Sequence, residues 1–162
     1  MKGLKLKLAL CVALLLFGVK VGYADEPTAV AQAVAEMVEK YDDTKGVDCM
    51  VVTKGNGLGL IKMMLNSQFG KSFMKGVTSI SIIDYGKASE EVCESIRTDA
   101  NVFISLLEEF DLSKEKRFEE NSYLKCFAAR TESGTLSDFV IVLENKELKS
   151  VMYMAGEIKV EE

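Results

Sequence analysis

The sequence predicts an α+β fold, a two-layer sandwich in which helices cover one face of a mixed or antiparallel five-stranded sheet. In the first two thirds of the chain, segments with helical spacing of apolar residues alternate with short β-branched runs. The last third instead carries three β-type segments separated by short turn sequences. The predicted order of elements is therefore α-β-α-β-α-β-β-β.

The first predicted helix spans residues 28–44, directly after Pro27. Thr28 is a good capping residue, because its hydroxyl accepts a hydrogen bond from a free backbone N–H of the first turn. One face of the helix is apolar at Val30, Val34, Met37, Val38 and Tyr41. The β-branched run Val47–Thr53 predicts the first strand.

Two further helices are predicted on either side of the second strand. The second helix runs from Leu58 to Met74, and the strand follows at Val77–Asp84. The third helix starts at Ser89, a capping residue followed by acidic side chains, and continues to about Leu107. If the first two strands are neighbours, a right-handed crossover makes them parallel and places the helices on one face.

The last third predicts an antiparallel meander. Its strands are expected at 122–130, 136–144 and 147–158, with turns at 132–135 and 145–146.

Residues 1–24 are predicted to be a cleavable signal peptide. Lys2, Lys5 and Lys7 precede an apolar run at 8–19, and Gly22-Tyr23-Ala24 ends the segment with small residues where signal peptidase cuts. The run is too short to span a bilayer, which needs about 20 residues. Residues 25–162 then form a single α+β domain with its core at 47–160, and the predicted location is the periplasm or the extracellular space.

Three alternatives to cleavage remain: a buried helix, a membrane anchor and lipidation at Cys11. The sequence Leu-Ala-Leu-Cys resembles a lipobox, but Leu10 stands where a small residue is needed, and Cys11 lies inside the apolar run. The signal peptide is the favoured interpretation.

The charge of the chain excludes polyanionic partners. All four lysines of 1–24 are lost on cleavage, which leaves 16 basic and 25 acidic residues, a net charge of −9. Nucleic acids and anionic lipid surfaces repel such a protein. We expect an envelope protein as the partner and no stable membrane span after cleavage; the sequence leaves the oligomeric state open.

The chain contains no histidine. This excludes Ser-His and Cys-His nucleophile systems within the chain and removes the commonest transition-metal ligand. We therefore predict that the protein is not an enzyme and has no catalytic residues, no cofactor and no metal site.

Three cysteines remain after cleavage, Cys49, Cys93 and Cys126, each in an apolar setting. An odd number leaves at least one of them unpaired or bonded to another chain. Buried thiols are favoured over one structural disulfide or a redox function.

Two other patterns have plain structural explanations. The glycines of residues 55–59 match neither common phosphate-binding loop and predict a turn. Acidic pairs such as Asp42-Asp43 and Glu90-Glu91 lack a calcium-loop pattern and predict solvated helix ends.

Met63 and Met74 are the candidate partner-contact residues. On a helical projection they lie opposite the apolar arc of the second helix. They are either covered by another element, which the helix at Val30–Tyr41 would do best, or exposed as an adaptable contact surface.

Several strings resemble a known family. KYDDTKGVDCMVV, VTSISIID followed by SEEV, and SVMYMAGEI are similar to the exported bacterial proteins catalogued as domain of unknown function 4252. The resemblance covers about residues 36–160. It implies an exported single-domain protein and carries over no functional residue.

These observations predict an exported, non-enzymatic cell-envelope protein that serves as a protein-binding or regulatory module. The alternative is a histidine-free periplasmic hydrolase or transferase that uses carboxylates and lysine. A cleft lined by two or more acids of raised pKa favours the enzyme, and an apolar surface favours the binding module.

We predict that the exported protein begins at Asp25, because signal peptidase cuts after Gly22-Tyr23-Ala24. Intact-mass analysis of the exported protein measures this directly. A mass that retains residues 1–24, or a lipid on Cys11, contradicts the prediction.

Overall fold

In a computed structural model, residues 27–55, 57–69, 74–110 and 123–159 are described. The predicted signal peptide lies outside them. The described residues form an antiparallel six-stranded sheet and three helices. In chain order the elements are α1 (Ala29–Tyr41), β1 (Asp48–Thr53), α2 (Leu58–Phe69), β2 (Val77–Asp84), α3 (Glu90–Ile104), β3 (Glu108–Phe110), β4 (Tyr123–Arg130), β5 (Leu136–Glu144) and β6 (Lys149–Gly156). The predicted α+β class is confirmed.

The spatial order of the strands is β1-β2-β6-β5-β4-β3. Strands β3 to β6 form a meander, and β6 then inserts beside β2. The three predicted meander strands are confirmed as β4, β5 and β6. The expected count of five strands was wrong, because β3 adds a sixth strand only three residues long, too short to show an alternating pattern.

Strands β1 and β2 are neighbours, but they run antiparallel, with Met50 opposite Ile82. The expectation that they are parallel was wrong. It assumed that the helix between them crosses the sheet from one end to the other. Instead, the chain leaves β1 and enters β2 at the same end of the sheet, so the connection that contains α2 does not cross the sheet.

The sheet is buried on both faces. One face carries Ile83, Val140 and Tyr153, which form a first core with α1 and α3. The other carries Ile80, Phe139 and Met154, which form a second core with two residues of α2, Leu58 and Ile61. The expectation of two layers with helices on one face was therefore wrong, because α2 packs on the face opposite α1 and α3.

The helix ends follow local signals. The Thr28 hydroxyl accepts from the Ala31 N–H, and the Ser89 hydroxyl accepts from the Val92 N–H, so both predicted caps are present. Helix α1 ends at Tyr41 rather than at residue 44, because turns begin at Asp42. Helix α2 ends at Phe69, and Met74 lies beyond it in a turn.

A buried carboxylate joins α1 to the sheet. Asp138 is 7% exposed and lies at a register shift between β4 and β5, with a φ of 49° in the left-handed region. Its Oδ1 accepts from the Thr28 hydroxyl at 2.7 Å and from the Tyr153 hydroxyl at 2.6 Å. Burial and the bond to Asp138 raise the pKa of Tyr153, so the phenol stays protonated and keeps donating.

Candidate binding site

The structure does not place Met63 and Met74 on one surface. Met63 is 65% exposed on α2, whereas Met74 is fully buried in the second core. Helix α1, the element expected to cover them, lies on the other face of the sheet. Of the two candidates, only Met63 is available for contact with a partner.

The glycine segment and the acidic pairs take the structures expected for turns and helix ends. Gly55 and Gly57 have φ values of 95° and 81°, the left-handed region that glycine adopts readily in turns. Asp42 and Asp43 follow α1, and Glu90 and Glu91 occupy the first turn of α3. Carboxylates in the first turn of a helix are stabilised by the positive end of its dipole.

Cys49, Cys93 and Cys126 form no disulfide with one another. Cys49 is half-buried and Cys93 is buried, both on the first-core side, whereas Cys126 is buried in the second core. The sheet therefore separates Cys126 from the other two. Burial, with the nearby charges of Asp42 and Asp48, raises the pKa of the Cys49 thiol, which makes it a weak nucleophile at neutral pH.

A pocket of about 360 Å³ lies between α3 and the first-core face of the sheet. Helix α3 supplies residues spaced along one face, and strands β4, β5 and β6 supply the floor. The lining residues are Tyr85, Arg97, Ala100, Asn101, Ile104, Phe127, Val142, Glu144 and Val151. Apolar side chains supply slightly more than half of this lining, and Tyr85, Arg97 and Glu144 meet at one side of it.

The polar side of the pocket consists of residues from three chain segments that meet at one end of the sheet. Glu144 ends β5 and stands opposite Lys149 of β6. Tyr85 follows β2, and its N–H donates to the Lys149 carbonyl at 2.8 Å. Arg97 lies on α3, about two turns after the Ser89 cap. We call Tyr85, Arg97 and Glu144 the polar triad.

One oxygen organises the polar triad. Glu144 Oε1 accepts from the Tyr85 hydroxyl at 2.7 Å and from Arg97 Nε at 2.8 Å. Arg97 Nη1 also donates to Glu90 Oε1 at 2.9 Å and to Glu94 Oε1. Every member of the triad thus has a partner, and the arginine is held from three sides.

These contacts fix the protonation states of the triad. Burial alone raises the pKa of Glu144, but the hydrogen bonds from Arg97 and Tyr85 outweigh it and hold that pKa below its ordinary value. Burial and the bond to Glu144 raise the pKa of the Tyr85 phenol. Bonds to Glu144 and Glu90 raise the pKa of Arg97. At neutral pH the triad is carboxylate, neutral phenol and guanidinium.

A second hollow of about 250 Å³ lies between α1 and α3. Beside it, Asp99 Oδ2 accepts from Lys40 Nζ and from the Tyr41 hydroxyl, each at 2.7 Å. Burial raises the pKa of Asp99, but these two bonds outweigh it and lower the pKa overall. The cluster joins the end of α1 to α3, which is a structural role.

The chain matches no protein-family profile, no curated protein sequence and no solved structure. Within the described ranges, no three histidine, cysteine or acidic side chains come together in a way that could hold a metal ion. None of the helices described is long and apolar enough to cross a membrane.

We predict that Glu144→Gln lowers the free energy of unfolding at neutral pH by about 1–2 kcal/mol, because the ion pair with Arg97 is lost. The lowered pKa of folded Glu144 fixes the sign of the pH dependence. Its stabilisation is present above the ordinary glutamate pKa of about 4.3 and is lost as the pH falls through the folded value. The difference between parent and variant should therefore narrow below about pH 4.

Urea unfolding at several pH values measures this, with Glu94→Gln as the matched control. Glu94 bonds to the same arginine, but its side chain is 66% exposed, so its loss should matter much less. A Glu144→Gln effect that is equal at pH 3 and pH 7, or no larger than that of the control, contradicts the prediction.

Proposed function

We propose that the protein is an exported, non-enzymatic binding module of the cell envelope, and that its recognition site is the pocket between α3 and the sheet. The occupant is an apolar side chain of a partner protein. The single observation that carries the proposal is a preformed pocket with an apolar floor in which each member of the polar triad has a hydrogen-bond partner.

The pocket's size and lining favour a side chain over a large cofactor. Its volume of about 360 Å³ lies at the small end of the range for ligand sites, about 300–1,000 Å³. Phe127, Val142 and Ile104 supply apolar surface that is only partly buried, so an apolar group gains free energy by covering it.

The protonation states of the polar triad favour binding over catalysis. A general acid or base works best when its pKa lies near the working pH. Glu144 has a pKa that is held low, and the pKa of Tyr85 is raised. Among the described residues, Glu144 is also the single carboxylate that lines the pocket, whereas a glycosidase-type mechanism needs two.

The charge of the chain suggests the kind of partner. Residues 25–162 carry a net charge of −9, and Glu90 and Glu94 stand beside Arg97 with side chains 70% and 66% exposed. A basic partner segment is attracted to this surface, and salt should weaken the attraction. We therefore expect the partner to carry a lysine or arginine next to the apolar side chain that enters the pocket.

The amino-terminal sequence supports the compartment. Residues 1–24 have the order of charged, apolar and small residues that export signals show.

We predict that Asn101→Trp abolishes partner binding, whereas Asn101→Ala retains it. Asn101 is exposed and lines the pocket from α3, so an indole there covers the opening without disturbing the core. A random peptide library is selected on the parent protein alone. The survivors should carry an aliphatic or aromatic residue near a lysine or arginine.

Calorimetry of the selected peptides with both variants gives the affinities. Binding should be lost in Asn101→Trp, be kept in Asn101→Ala, and weaken as salt is added. Peptides that bind Asn101→Trp as tightly as the parent protein contradict the assignment of this pocket.

A further inference from the structure

Strand β1 is an edge strand of the sheet, and its outer side has no neighbouring strand among the described residues. Its inner side pairs with β2. The strand is six residues long, contains neither proline nor lysine, the residues that most often protect an edge from further pairing, and has one charged residue, Asp48, at its start. Its outer backbone groups are therefore a template for another strand.

The side chains of β1 are unusually exposed for apolar residues. Val51 points to the first-core face and is 49% exposed, while Met50 points to the second-core face and is 54% exposed. Apolar surface is therefore exposed on both faces of the sheet at this edge. A strand paired with β1 would place side chains beside Met50 on one face and beside Val51 on the other.

The backbone of β1 is already fixed in the extended conformation that strand pairing requires. Gly46, just before it, has a φ of 83° and packs so closely on Lys87 and Ala88 that a side chain there would overlap their backbone. All six β1 residues are in register with β2. No reordering of the backbone is needed before another strand docks.

Symmetry restricts how two copies of β1 can pair. In a continuous antiparallel sheet, opposite residues share a face. A two-fold axis perpendicular to the sheet keeps each residue on the same face in both copies. Even-numbered residues must then stand opposite even-numbered ones, and odd opposite odd.

Charge selects one of the registers that remain. Placing Val51 opposite Val51 sets Met50 opposite Val52 and Asp48 opposite Lys54, which immediately follows the strand. A shift of two residues in either direction puts Asp48 opposite Val52 or Lys54 opposite Met50. The apolar centre and the oppositely charged ends are thus self-complementary in this register alone.

We propose that two copies of the chain associate along β1, with Val51 opposite Val51 and Asp48 of each copy opposite Lys54 of the other. The product is a two-fold symmetric dimer with one continuous sheet. About six residues a side make a small interface, so the dimer dissociates on dilution. This surface is separate from the pocket, and the inference does not depend on the proposed function.

The test expresses the full chain and purifies the protein that the cell makes from it, in a Cys49→Ser background. Val51→Cys brings two thiols directly opposite each other, within the Cα separation of about 4.4–6.8 Å that a disulfide needs. Met50→Cys is the matched control, equally exposed but diagonal to its copy, about 7–8 Å away. On mild oxidation Val51→Cys should cross-link rapidly and Met50→Cys slowly.

Charge reversal tests the ends of the register by sedimentation at several concentrations. Asp48→Lys should weaken the dimer about tenfold or more, because two pairs of like charges face each other. Adding Lys54→Asp should restore it. Thermal unfolding checks that every variant remains folded.

The proposal is overturned if Val51→Cys fails to cross-link faster than Met50→Cys, or if the parent protein stays monomeric at the highest concentration reached. Single charge reversal without effect on association also overturns it.

Discussion

The rest of the fold depends on one constraint: the central strands carry apolar side chains on both faces. In β5, Val140 belongs to the first core and Phe139 to the second, and in β6 Tyr153 and Met154 divide in the same way. Each buried side chain of this size contributes about 1.5–3 kcal/mol relative to exposure. Neither face can be left to water, so helices must pack on both sides.

The pocket follows from how the first face is covered. Helix α1 packs beside α3 and joins it through Tyr41, Lys40 and Asp99. On the other side of α3, no described helix lies over Phe127 and Val142, and the pocket opens there. Arg97 spans the gap to Glu144 at the end of β5. The ion pair fixes α3 over the sheet while leaving the apolar floor accessible.

Much of the fold was predictable because its signals are local. The bounds of β2 and the caps Thr28 and Ser89 rest on neighbouring residues. The two-sided burial also had a signal, the unbroken apolar runs Phe139–Leu143 and Val151–Ala155, which are typical of strands covered on both faces. The right-handed crossover rule, applied to the first two strands, instead placed the helices on one face.

The site was not predictable by the same reasoning. Tyr85, Arg97 and Glu144 are far apart in sequence, and they meet because β6 inserts between β2 and β5. No spacing rule encodes that insertion, since it depends on which long-range strand pairing buries the most apolar surface. Glu94 and Arg97 stand three residues apart on one helix face, a spacing at which ion pairs form readily, but no local spacing points to Glu144, the carboxylate that joins Arg97 to the sheet.

The most direct measurement of the two-sided sheet is a set of nuclear Overhauser contacts between methyl groups. Contacts are expected from Leu58 and Ile61 of α2 to second-core side chains such as Val52, Ile80 and Met154. Contacts are also expected from Val34 and Ile96 of the other two helices to Ile83 and Val140. Contacts from Leu58 or Ile61 to Ile83 or Val140 would instead place all three helices on one face and contradict the two-sided packing of the sheet.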